Sequence, residues 1–354
     1  MEPFWSTYFM LPGQEHGHAK AVAEALEHAR EGVAMLVGCE PFEIVFTGGG
    51  TEANNLAILG LLAEAQPGHL LVSELEHDSV IGAAKALHRR GWEFDFIEVD
   101  EQGQVCPELV DRMIRPETRL VSVQAANPIL GSLQPIREIA DLVHKRGGLI
   151  HCDATQVFGK MPLDVNQIKA DTIAVSGHKF YGPKGSGAVY IRRGLEIHPI
   201  SYGDPREMGV RPGPENIPAC VGIGEAARLA SKCAVDVADN SIELRERFIS
   251  AIQCTLDPAP FVLCDDGLSL PNTVAIQFAT SATRIQKLAR NLVFQTTLSG
   301  TPPDEMTRAL RAIGRTEQQI AQIASFSFGW TTSREQIDTA VELIAESIDS
   351  LGQR

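Results

Sequence analysis

The sequence predicts an α/β fold: a mostly parallel sheet sandwiched by helices, followed by a smaller C-terminal α+β domain. Three observations carry this reading. From about Gly17 to Asn240, segments of helical periodicity alternate with short apolar runs, the pattern of strand and crossover-helix units that build a parallel sheet. The polar residues that stand out fall just after those runs, where the strands of such a sheet end and its ligands bind. Beyond about residue 240 the alternation changes character and closes on one long amphipathic stretch. At 354 residues, 44% hydrophobic and 21% charged, the chain is long enough for a large core and two domains. They are read as residues 14–240 for the α/β domain, with 241–354 and 1–13 forming the smaller one.

In chain order, "HAKAVAEALEHAREGVAMLVG" spaces its apolar residues for one face of a helix. "FEIVFT" then reads as a buried strand, and "TGGGTEANNLAILG" as a glycine turn into a second helix with Thr51 as its N-cap. "HLLVSE", "RLVSVQA", "GLIHCD" and "TIAVSG" are further buried strands separated by helical segments. "PACVGIGEAARLASK" predicts a long connecting helix. The smaller domain begins with strands in "FVLCDD" and "PNTVAIQFA" and ends in the helix "REQIDTAVELIAESIDSLG".

Composition narrows the function classes. A formal charge of −14 argues against nucleic acid or an anionic membrane as partner, because phosphate backbones require a basic face. The seven cysteines form no CxxC pair, so neither a zinc site nor a disulfide framework is indicated and no metal is expected. That usage fits a reducing compartment. With no signal-like start and no apolar run of membrane-spanning length, the cytoplasm is the expected location.

The residues after the strands carry chemistry. The glycine turn before Thr51 presents backbone N–H groups and a positive helix end, a phosphate cradle by mechanism. His77 follows "HLLVSE" and is a stacking or acid-base candidate; Asn127 follows "RLVSVQA" and is held extended by the proline after it. Asp153 ends "GLIHCD", and Lys179 follows "TIAVSG" 26 residues later. Singly, each has a plain structural explanation: a turn, a cap, a solvated lysine. Together they match what pyridoxal 5′-phosphate needs, a lysine amine for the Schiff base and a carboxylate that keeps the pyridine nitrogen protonated so that the ring can withdraw electrons.

The segments "FTGGGTEANNLAI", "ELEHDSV", "HCDATQVFGKMPLDV" and "DTIAVSGHKFYGPKGSGAVYIRRG" resemble those of the cysteine desulfurases, in the class V aminotransferase group of fold-type I pyridoxal-phosphate enzymes. The resemblance covers roughly residues 14–230 well and the remainder loosely. It implies that Lys179 is the Schiff-base lysine, that Asp153 contacts the pyridine nitrogen and that His77 stacks on the ring and takes part in catalysis. It further implies that Asn127 and Gln156 reach the 3-oxygen and that Gly50, Thr51, Ser176 and His178 hold the phosphate. A homodimer, a small amino acid or amine as substrate and a protein partner from a sulfur pathway are also implied.

Three departures stand against this background. The family uses a cysteine on a loop in its C-terminal region to take up the substrate sulfur, and here no cysteine follows Cys264; Ser299 stands at about that place. The family's carboxylate-gripping arginine is replaced by Ser325, which leaves Arg211 as a nearby basic candidate. In "RPGPEN" the family's phosphate-binding threonine is Pro214, with neither hydroxyl nor N–H. Two readings stay open: an enzyme acting on a small amine by elimination, transamination or racemisation, transferase or lyase in class, or a cofactor-binding but catalytically silent partner of an active desulfurase.

Overall fold

The computed structural model describes residues 1–264, 268–297 and 304–352. The chain divides into two compact units, one of residues 1–97, 107–125 and 135–234, the other of residues 98–106, 126–134 and 235–354.

The first unit is built on a seven-stranded sheet: β1 (Ile44–Thr47), β2 (His69–Ser73), β3 (Glu93–Ile97), β4 (Thr118–Ser122), β5 (Leu149–Asp153), β6 (Thr172–Ser176) and β7 (Gly187–Ile191), in the order β1-β7-β6-β5-β4-β2-β3. Strands β6, β5, β4, β2 and β3 pair in parallel, and β7 runs antiparallel to both of its neighbours. This is the mixed, largely parallel sheet that the apolar runs predict. Strands β1, β2, β6 and β7 are buried along their whole length, which is why they read as continuous apolar runs. β3, "EFDFI", sits at the sheet edge with only Ile97 fully buried, and its acidic residues face Arg115. An edge strand that carries charge escapes a search for apolar runs.

Helices cover the sheet. The helix Gly17–Val37 buries Val22, Leu26, Ala29 and Val33 at three- and four-residue spacing and stops at Gly38, in the left-handed conformation at φ 81°. The helix that carries Gly224 passes close at Gly32, where a Cβ would lie 2.5 Å from the carbonyl oxygen of Gly224. Ala53, Leu56 and Ala57 of the helix Gly50–Leu61 pack on Val45, Ala174 and Val189 of the strands beneath. Full burial of a side chain such as Leu56 contributes roughly 1.5–3 kcal/mol. The connecting helix proves longer than its sequence suggested, running unbroken from Ile217 to Thr255.

The second unit holds the antiparallel sheet β10-β11-β9-β8, formed by β8 (Phe261–Leu263), β9 (Thr273–Gln277), β10 (Gln295–Thr296) and β11 (Ile323–Ser327). Its core gathers Phe248, Phe278, Phe294 and Phe326, with the Phe248 and Phe294 rings each 4.9 Å from that of Phe326. The closing helix Arg334–Gly352 supplies Ile337, Val341 and Ile344 to the same core.

Candidate functional site

Asp153 is the last residue of β5 and is buried, and β5 lies directly against β6 with Asp153 paired to Ala174. Two residues past Ala174, β6 ends at Ser176, and the chain turns through Gly177–Phe180 with exposed Lys179 on that turn. The turn is closed by Tyr181 in the left-handed region at φ 66°, an uncommon conformation for a side chain of that size and the kind of local strain that collects at functional sites. Carboxylate and amine therefore arise at the same end of two adjacent parallel strands.

The candidate anion cradle lies at the start of the helix Gly50–Leu61. Its N-cap is Gly49, at φ 146°, rather than Thr51, which lies one residue inside the helix. Glycine is needed there because the backbone enters the helix through a conformation that a threonine would strain. No side chain caps this helix, so its first-turn amides are left for a ligand. A Cβ on Gly50 would lie 2.9 Å from the Thr155 methyl and 3.3 Å from Ser176 Cβ, so the cradle admits only a glycine at this point. Ser176 Oγ is 3.1 Å from His178 Nδ1. An open cleft of about 650 Å³ lies over these groups, lined by Gly49, Gly50, Thr51, His178 and Lys184 among others. Partial desolvation, followed by the Lys179 and Lys184 ammoniums, holds the His178 pKa below its usual value, which favours neutral imidazole. Glu52 does not spoil the cradle electrostatically: its carboxylate accepts from Gly48 N at 2.6 Å and from Arg211 Nε at 2.6 Å.

His77 is the N-cap of the helix Asp78–His88, its Nδ1 accepting from Ser79 N at 3.1 Å. Ser79 Oγ lies 2.7 Å from the same Nδ1 and receives Asn54 Nδ2 at 2.8 Å, while Asn54 Nδ2 also donates to Asp153 Oδ2 at 2.7 Å. The other Asp153 oxygen accepts from Thr155 N at 3.0 Å. Gln156 is bound through its Oε1 to Lys160 Nζ at 2.7 Å, which leaves its amide N–H groups to donate. Burial, reinforced by the nearby Lys179 ammonium, lowers the Lys160 pKa to about 7. Asn127 belongs to the other unit, where its Oδ1 accepts from Ile129 N and Leu130 N, an arrangement that commits the oxygen to the turn.

The substrate-side candidates fare differently. Arg211 is held by Glu52, so the basic candidate read from the sequence is already paired. Ser325 is buried on β11 and donates to the carbonyl of Ile129 at 2.7 Å. Ser299 lies outside the described residues. Sequence reasoning missed Asn54, Ser79, His151 and Lys160, although the i,i+4 spacing of Gln156 and Lys160 on a short turn was a readable signal.

The buried carboxylate, the uncapped helix end, the glycine that a Cβ would displace and the lysine on the next strand end fit pyridoxal phosphate. The family described as aminotransferase class-V matches residues 1–292. This chain belongs to that family. It is 34% identical to a protein named cysteine desulfurase IscS 1 from Archaeoglobus fulgidus, over 99% of this chain and 93% of that one. It is also 31% identical to cysteine desulfurase IscS of Dictyoglomus turgidum, over 99% of this chain and 90% of that one. Among solved structures, a NifS-like protein covers 98% of this chain and 94% of its own at TM-score 0.91 and 28% identity. A structure of SspA in complex with cysteine covers 92% and 93% at TM-score 0.80 and 29% identity. Class-V aminotransferases and cysteine desulfurases depend on pyridoxal phosphate, and this chain is a pyridoxal-phosphate-dependent enzyme of that family. Among the described residues, no helix is long and apolar enough to cross a membrane.

Proposed function

We propose that the chain holds pyridoxal phosphate through Lys179 and acts on a small amino acid or amine by moving a proton at its α-carbon, without forming a persulfide. The observation that carries this reading is the pairing of Asp153 on β5 with a lysine-bearing turn at the end of the adjacent β6. In this reading Gly50 and Thr51 backbone, Ser176 and His178 hold the phosphate, Gln156 donates to the 3-oxygen, which the family pattern also assigns to Asn127, and His77 covers the ring face. When bound, the cofactor supplies an electron sink that acidifies the substrate α-carbon. Asp153 keeps a proton on the ring nitrogen by offering a fixed buried carboxylate. Lys179 Nζ carries the proton to or from the α-carbon. A homodimer is part of the proposal, with one hydrogen bond to the phosphate fewer than the family pattern because position 214 is proline.

Two observations favour a second reading, a cofactor-binding but silent protein: the Ser325 hydroxyl donates to Ile129, and the Arg211 charge is already paired with Glu52. Visible absorbance decides between them. Purified protein reconstituted with the cofactor is expected to be yellow, Lys179→Ala to lose the band, and some member of a panel of amino acids and amines to deplete it. A colourless wild type sinks the assignment; a yellow protein that no amine perturbs leaves the silent reading.

A further inference from the structure

Asn54 sits on the buried face of the helix Gly50–Leu61, 1% exposed, and its side chain makes three hydrogen bonds to two other elements, β5 and the helix Asp78–His88. One Nδ2 hydrogen goes to Asp153 Oδ2 at 2.7 Å and the other to Ser79 Oγ at 2.8 Å. Its Oδ1 faces His151 Nε2 at 3.0 Å. The direction of each bond follows from chemistry. A carboxylate only accepts, so the amide must turn its nitrogen toward Asp153 and its oxygen toward His151, which fixes the proton of His151 on Nε2. Thr172 Oγ1, 2.9 Å from His151 Nδ1, then donates to the remaining lone pair. On the other side, Ser79 Oγ has accepted from Asn54, and its own proton is free to go to His77 Nδ1, 2.7 Å away. That nitrogen already accepts the Ser79 backbone N–H, so the proton of neutral His77 is left on Nε2.

The geometry points to Asn54 as a positioning residue that joins Asp153 and His77 into one hydrogen-bonded unit, fixing the orientation of the carboxylate and, by donating to Ser79 Oγ, turning the Ser79 hydroxyl proton toward His77 Nδ1. The inference rests on the reading that His77 and Asp153 face the cofactor, but the network itself exists in the protein without it. Nothing else in the sequence between Gly50 and Leu61 offers a side chain that both donates twice and accepts, apart from Asn55, which is spent on the carbonyls of Thr51 and Ser79. A leucine at position 54 would fill the space and strand both the carboxylate and His151.

The test is made on the full chain with two readouts. In ¹⁵N-histidine-labelled protein without cofactor, His77 is expected to show its proton on Nε2 and an Nδ1 resonance shifted by two donors. Ser79→Ala should move that resonance toward the value for fewer donors and Ser79→Thr should restore it, while Asn54→Leu, which leaves the Ser79 hydroxyl free to turn away, should shift it part of the way in the same direction. Ser79→Ala changes only a hydroxyl near a helix start and keeps the test open if Asn54→Leu fails to fold. The second readout is cofactor affinity by absorbance titration, where Asn54→Leu should weaken binding about tenfold or more, since a charge-assisted donor is lost to a buried acceptor. A proton on Nδ1 of wild-type His77, or a resonance indifferent to Asn54→Leu, overturns the linkage; an unchanged affinity overturns the positioning of Asp153. Failure of the wild type to bind the cofactor counts against the proposed function, while the histidine spectrum decides the network separately.

Discussion

Buried among Asn54, Thr172 and Asp153, His151 refuses a proton that the unfolded chain accepts. Burial is the main cause, only partly offset by the Asp153 carboxylate, and the native pKa is lowered to about 4 from its ordinary 6.5. Between those values the unfolded state binds the proton and the native state does not, so stability rises with pH across the window. The contribution is complete above about pH 6.5 and is lost as the pH falls toward 4, on the order of 3 kcal/mol in all. His151→Gln keeps a donor toward Asn54 and removes the titration, so its urea midpoint should fall less steeply than that of the wild type between pH 7 and pH 4. Equal slopes would show that His151 is not responsible. The strand-end placement of Lys179 and Asp153 was legible in the sequence because each stands at the end of an apolar run and inside a distinctive local pattern. His151 and Asn54 were not. One reads as an ordinary strand residue and the other as an ordinary helix residue, and the 97 residues between them close only in the folded sheet.

At the scale of elements, burial decided what could be read. Strands covered on both faces announced themselves, whereas β3 at the edge, with Glu93 and Asp95 on it, did not. The turn before the helix Gly50–Leu61 was legible as a glycine turn into a helix, but the capping position was off by two residues, because the backbone enters the helix at Gly49 through a φ of 146° that favours glycine. A sequence gives still less warning of the tie between the helix Gly17–Val37, β1 and the segment Glu207–Gly209. Arg30 reaches Glu207 with two bonds of 2.7 and 2.8 Å, donates to Ile44 O at 2.7 Å and lies over the Phe46 ring, while Glu207 also accepts Phe46 N at 2.8 Å. Glu207 and Met208 stand in the left-handed region, at φ 45° and 58°, a strain that these bonds hold in place. Glu207→Ala would leave a buried guanidinium and a buried amide unpaired, and a loss of about 3–5 kcal/mol is expected by urea denaturation. Glu207→Gln, which keeps hydrogen-bonding capacity but not charge, should fall between that variant and the wild type. If Glu207→Ala stays within about 1 kcal/mol of the wild type, the cluster does not hold this segment.

Across the whole molecule the seven cysteines bear on the reaction. Taking sulfur from cysteine as a protein persulfide requires a thiolate within reach of the substrate, and thiolate character falls as a thiol is buried. Cys152, beside Asp153 on β5, is fully buried, and burial together with the Asp153 and Glu76 charges pushes its pKa well above the ordinary range. Burial, then Glu207, pushes Cys220 up to about 12, and burial with Glu43 and Glu40 raises Cys39 as well. Cys264 is buried in the second unit and Cys233 is partly covered. Only Cys106 and Cys254 are exposed, and the sequence from Asp265 to Arg354 contains no cysteine at all. Sulfide release from cysteine by the reconstituted protein, with reductant present, is therefore expected at background, even where an amine depletes the visible band. Robust sulfide production abolished by Cys106→Ser or Cys254→Ser would mean that an exposed thiol does the work of the missing one, and would return the chain to persulfide chemistry.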